Sequence, residues 1–122
     1  MQPQRKPPES NEIAQLRREA GKWLKDKREE TGLSQRALAA AVGLEYYTFI
    51  SQLESGRGRV PAERYEAYAR ALNIEPREFA ITMMKYNDPL TYELIFGGTQ
   101  EQASKVDEME RRLRRLENVL GK

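Results

Sequence analysis

The side chains best placed to do chemistry fall between positions 46 and 59. Tyr46, Tyr47, Thr48, Ser51 and Gln52 bring hydroxyls and a carboxamide together without a charge. Spacings of three and four put Tyr47, Thr48, Ser51 and Gln52 on one side of a helix. Such groups hydrogen-bond base edges and phosphates, and a carboxamide can pair with N6 and N7 of adenine at once. Gln52 is therefore the leading candidate for a base contact. Arg57 and Arg59 follow, separated by a glycine, as a flexible pair able to grip phosphates; a solvated basic loop is the plainer alternative. Other chemistries are missing. The 122 residues contain no histidine and no cysteine, which rules out disulfides, Cys/His zinc sites, thiol nucleophiles and histidine bases. No pair among the 19 acidic residues sits in a hydrolytic pattern. Recognition rather than bond-making is expected, with no catalytic residue, no metal and no cofactor.

Composition bounds the rest. Apolar residues make up 39% and charged residues 33%, enough for one modest helical core plus tails. A net charge of +2, from 21 basic and 19 acidic residues, does not itself argue for nucleic acid, so any DNA affinity must come from local placement. No apolar run approaches the ~20 residues that span a bilayer, and the first residues lack a signal-peptide core. A cytoplasmic, nucleoid-associated location is expected. Residues 1–11, with Pro3, Pro7 and Pro8, read as a disordered arm. Arg5 and Lys6 in that arm are solvated charges or backbone contacts.

The polar stretch must be held by helices. Asn11 is a candidate N-cap for a first helix whose stripe is Ile13, Leu16, Ala20, Trp23 and Leu24, ending near Thr31 at Gly32. Ser34 caps a short second helix, Gln35 to Val42, with Leu38 and Val42 inward. A third helix is expected from Tyr46 to Ser55, with Ile50 and Leu53 inward. Pro61 opens a fourth, carrying Tyr65, Tyr68, Ala69 and Leu72. Pro76 opens a fifth, carrying Phe79, Ile81, Met83 and Met84. Nothing alternates convincingly as a strand. The expected fold class is all-α, a five-helix helix-turn-helix domain over residues 12–85. Residues 86–101 form a short element and linker; within them, 90–96 read as a short helix or as a strand added to another chain.

The stretch from Arg28 to Ile74 resembles the Cro/repressor, or XRE, helix-turn-helix family. The resemblance rests on Arg28, Gly32-Leu33-Ser34-Gln35, Leu38-Ala39, Gly43, Ile50 through Gly56, Pro61, and Ala69 through Ile74. It implies a lambda-repressor-like fold and a transcription regulator, a repressor for instance. Gln35, with its neighbour Arg36, would meet phosphates at the start of the second helix, Gln35 while supporting the recognition helix. Tyr47, Thr48 and Gln52 would meet bases, and Arg28 with Glu54 would form a structural ion pair joining the first and third helices. From Gly43 to Gly56 is 13 positions, one more than the family's usual spacing. The turn Leu44-Glu45-Tyr46 thus holds an extra residue, and either Tyr46 or Tyr47 is left to reach DNA. Phe49 is also unusual for the family: it packs on the fourth helix or touches a thymine methyl.

In the tail, Val106, Met109, Leu113, Leu116 and Leu120 recur at 3, 4, 3, 4, the a/d seam of a coiled coil, in a helix over 102–121. A lone helix with that seam is marginal in water, so it pairs with another copy or folds back on its own domain. Self-association into a homodimer is the preferred reading. Double-stranded DNA is the expected partner, read by the helix 46–55. A protein-interaction module of the same fold, antitoxin-like or an adaptor, is the alternative that the aromatic Tyr46, Tyr47 and Phe49 support.

Overall fold

The computed structural model describes residues 10–97 and 100–120, and side chains over 10–97 and 108–120. Most of the arm expected at 1–11 lies outside the described residues. The described residues form α1 (Ser10–Glu30), α2 (Gln35–Ala41), α3 (Thr48–Glu54), a 3-10 turn (Ala62–Arg64), α4 (Tyr65–Ala71), α5 (Pro76–Asn87), α6 (Pro89–Tyr92), a π-helical turn (Glu93–Gly97) and α7 (Gln100–Val119), and no strand. The all-α expectation holds.

Local chemistry explains most boundaries. Ser34 caps α2 by accepting a hydrogen bond from the Ala37 N–H at 3.0 Å. Glu75 does the same for α5, accepting from the Glu78 N–H at 3.0 Å, with Pro76 in the first turn. α1 begins at Ser10, so Asn11 lies inside the helix rather than capping it; its Oδ1 accepts from the Glu12 N–H. α5 runs on to Asn87, where Asp88 leaves helical geometry and Pro89, unable to continue the hydrogen-bond ladder, starts α6. Residues 90–96 are therefore helical, and the strand alternative is set aside.

The core lies where these helices converge. Leu24 of α1, Leu38 of α2, Ile50 of α3, Tyr68 of α4, and Phe79 and Met83 of α5 are almost wholly buried. Phe79 is the hub: the rings of Trp23, Tyr65 and Tyr68 lie 5.7, 5.7 and 6.1 Å from it, between centroids. Such pairs add about 0.5–1.5 kcal/mol each beyond the area they bury. Burial pushes the Tyr68 phenol up to about 12, with Arg64 opposing, so it stays neutral in the core.

Two glycines let α1 and α3 meet. A Cβ on Gly21, midway along α1, would stand 2.4 Å from the Leu53 carbonyl oxygen and 2.6 Å from that of Glu54. The C-terminal end of α3 thus lies directly on the α1 backbone. Gly56, which ends α3, has φ +82° and sits where a Cβ would crowd the Arg18 backbone.

Candidate nucleic-acid interface

α3 is divided sharply by its packing. Ile50 is fully buried and Leu53 partly so, while Thr48, Ser51, Gln52 and Ser55 face outward. The outward side carries hydroxyls and one carboxamide and no charge, so a polyanion meets donors and acceptors without repulsion. The Gln52 side chain has no hydrogen-bond partner among the described residues; its backbone carbonyl accepts from Ser55 Oγ at 3.0 Å and from the Arg57 N–H at 2.8 Å.

The expected third helix from Tyr46 to Ser55 is corrected to Thr48–Glu54. The extra residue of the turn is absorbed before the helix: Tyr47 takes the N-cap position, and its carbonyl accepts from the Ile50 and Ser51 N–H groups at 2.9 and 3.2 Å. Tyr46 falls in the turn and is 58% exposed, outside the helix. Tyr47 lies at the mouth of α3 under the Arg36 guanidinium, 4.4 Å from its ring centroid. A guanidinium stacked this way keeps its N–H edges free for phosphate oxygens.

Behind the face, Arg28 and Glu54 form a two-pronged ion pair. Arg28 Nε donates to Glu54 Oε2 at 2.6 Å and Nη2 donates to Oε1 at 3.0 Å, with side chains only 11% and 5% exposed. Arg28 Nη1 also donates to the Leu33 carbonyl at 2.8 Å. The hydrogen bond to Glu54 raises the Arg28 pKa above its usual value against the opposing effect of burial, so the charge is held permanently. Gln35, expected to support the recognition helix while meeting a phosphate, donates its amide to Glu54 Oε1 at 3.0 Å and so braces α3. One N–H of that amide is thereby committed to the brace, so α1, α2 and α3 are joined at a single carboxylate.

The loop arginines separate. Arg57 is exposed; its backbone N–H donates to the Gln52 carbonyl at 2.8 Å, and its side chain has no hydrogen bond or ion pair among the described residues. Arg59 is exposed too and lines the groove beside Phe49 and Gln52, and its Nη1 donates to the Asn87 carbonyl at 3.5 Å, where the C-terminal end of the α5 dipole favours a cation. Phe49 does not bury itself on α4: it is 50% exposed, on the rim of an open groove of about 440 Å³ shared with Leu44, Leu53, Pro61 and Tyr68. In the tail, Met109, Leu113, Leu116 and Leu120 are exposed; the side chain of Val106 lies outside the described residues.

Two positioning residues were not singled out from the sequence. Gly21 permits the α1–α3 contact, and its signal was available: a glycine inside a helix costs roughly 1 kcal/mol against alanine and so needs a reason. Arg64 donates to the Val42 carbonyl at 2.7 Å and caps the C-terminal end of α2 from the 3-10 turn.

This arrangement, a short bracing helix, a turn and a second helix with a bare polar side, is the geometry of a helix-turn-helix. A family model described as helix-turn-helix matches residues 24–79, the span of the core from Leu24 to Phe79. The chain belongs to the XRE-type helix-turn-helix family. It is a DNA-binding transcription regulator of that family. It is similar to the restriction-modification controller protein C.AhdI from Aeromonas hydrophila, a solved structure, at 36% identity, over 54% of this chain and 97% of that one, with a TM-score of 0.47. No curated protein matches it. Among the described residues, no helix is long and apolar enough to cross a membrane and no cluster of carboxylates could hold a metal ion.

Proposed function

We propose that this helix-turn-helix protein reads specific duplex sequences as a dimer, with α3 in the major groove. Tyr47, Thr48, Ser51 and Gln52 meet bases, Arg36 and Arg57 meet phosphates, and the helix at 102–121 joins two copies. The observation that carries the reading is the outward side of α3: uncharged, hydrogen-bonding, and backed by a buried ion pair that fixes its angle. A major groove about 12 Å wide accepts one helix presented in this way. Gln52, one turn beyond Tyr47 and Thr48, supplies the carboxamide that distinguishes adenine.

Selection from a random duplex library at low salt tests it. The wild-type chain is expected to enrich one sequence. Gln52→Ala should lose about 1–3 kcal/mol at one base pair of that sequence and relax preference there. Arg57→Ala should weaken all sequences alike and reduce the salt slope by about one. Failure of the wild-type chain to enrich any sequence would reject the reading.

The exposed Tyr46 and Phe49, with the apolar groove beside Phe49, favour a second reading in which the same side of the domain docks a protein. A stoichiometric protein partner that competes with DNA and is lost in Phe49→Ala would select that reading over the first.

A further inference from the structure

The exposed seam of α7 and the charges flanking it go beyond the existence of a dimer to its orientation. We propose that two copies of α7 pair in parallel and in register, which places both helix-turn-helix domains at the same end of the coil. The proposal rests on the reading that α7 joins two copies.

The seam sets the register. With Leu113 and Leu120 at a positions and Met109 and Leu116 at d positions, Glu110 and Glu117 occupy e positions and Arg112 occupies a g position. Among the described side chains, all four seam residues are open to solvent, Leu113 and Leu116 each 57% exposed. Arg112 is 70% exposed, tied only to Glu108 of its own helix at 3.1 Å, a surface pair weak enough to exchange partners.

In a parallel coil, each g residue faces the e residue five positions later on the other helix. Arg112 of one copy then faces Glu117 of the other, and the symmetry of the dimer makes the pair twice. By sequence position alone, Lys105 and Glu110 repeat the match one heptad earlier. In an antiparallel coil, e faces e and g faces g. The acidic residues at 110 and 117 would then oppose one another, as would the basic residues at 105 and 112. Every flanking position that is attractive in one orientation becomes repulsive in the other. A second copy is thus the partner whose charges fit this face, and one orientation alone suits it.

The orientation matters because α7 is 20 residues long, which at 1.5 Å per residue is about 30 Å. A parallel coil starts both reading domains from the same end of that rod. Recognition helices about 34 Å apart, on one side of a duplex, require the two domains to lie together.

The test uses the full chain and one charge reversal whose effect changes sign with orientation. Sedimentation equilibrium measures the dimer dissociation constant of the wild type, Glu117→Arg, and Arg112→Glu/Glu117→Arg. Parallel pairing predicts that Glu117→Arg weakens the dimer about three- to tenfold and that the double variant returns to near the wild-type value. Tightening by Glu117→Arg would overturn the orientation while leaving the dimer intact. A wild-type mass of one chain at all concentrations, or of three or more, would overturn the pairing itself. DNA selection by the wild-type chain is read separately, so loss of the coil and loss of DNA reading are told apart. Because the chain has no cysteine, Leu116→Cys provides an independent check. Parallel pairing brings the two thiols together at a d position, and mild oxidation should link most of the dimer; an unlinked dimer counts against it.

Discussion

Two ion pairs with the same closest distance show what burial does to a charge. Arg28–Glu54 and Arg70–Glu66 both close to 2.6 Å, but the first pair is nearly sealed and the second is 74% and 64% exposed. Water screens the exposed pair and its side chains lose entropy to form it, so it is worth about 0–1 kcal/mol. Removing one partner of the sealed pair strands a charge that cannot be solvated, at about 3–5 kcal/mol. Glu54→Ala also leaves the Gln35 amide without its acceptor. The expected outcome is a melting temperature lowered by more than ~10 °C for Glu54→Ala and by no more than a few degrees for Glu66→Ala, measured by thermal denaturation of the full chain. Equal shifts would mean that the brace is not what holds α3. The same carboxylate gives Gln35 the supporting role expected of it at the start of α2, through an acceptor that the sequence did not name. Residue type and position at the start of a helix are legible; which neighbour captures an amide depends on side chains 19 positions apart in the chain.

At the scale of elements, the angle of α3 is set from behind by the closeness of α1. Gly21→Ala isolates that contact. Alanine is the better helix former by up to about 1 kcal/mol, so α1 alone should gain. The new methyl, however, meets two backbone carbonyls at 2.4 and 2.6 Å, neither the end of a flexible side chain, so the helices must separate. Overpacking of this kind costs about 1–3 kcal/mol. Gly21→Ala is expected to lower stability and, at temperatures where it is still folded by circular dichroism, to weaken DNA binding as well. A variant more stable than wild type would show that the contact gives way easily. Periodicity and capping residues made every helix up to Asn87 legible, because Leu24, Leu38, Ile50, Tyr68 and Phe79 recur as the buried sides of elements whose starts and stops are chemically marked. The start of α3 was not legible. The extra residue between Gly43 and Gly56 was placed in the turn, but which tyrosine stands at the mouth of the helix was left open, and with Ile50 packed in the core it is Tyr47, Tyr46 staying outside. The direction of Arg59 escaped for a similar reason: its partner is the end of α5, which the sequence placed near residue 85 and the fold extends to Asn87.

At the scale of the whole molecule, a net charge of only +2 means that one domain holds DNA weakly unless few contacts are used twice. Salt dependence measures that use. Each phosphate neutralised releases counterions and contributes about −0.9 to the slope of log affinity against log salt concentration. One domain offers few exposed arginines beside α3, Arg36, Arg57 and Arg59 among them, so its slope should be shallow. A dimer on two half-sites doubles the contacts and the slope with them. Truncation after residue 98 separates the two cases without disturbing the core, which ends at Met83. The shortened chain is expected to melt close to the full chain at low concentration, to sediment as a monomer, and to bind a single half-site with unchanged affinity. On a duplex carrying both half-sites it should bind far more weakly than the full chain, with about half the salt slope. An unchanged slope on the two-site duplex would mean that the full chain also binds one copy at a time, whatever α7 does in free solution. A halved slope at unchanged mass would instead put the missing contacts in the tail itself, where Lys105, Arg111, Arg112, Arg114, Arg115 and Lys122 are the cations available to make them.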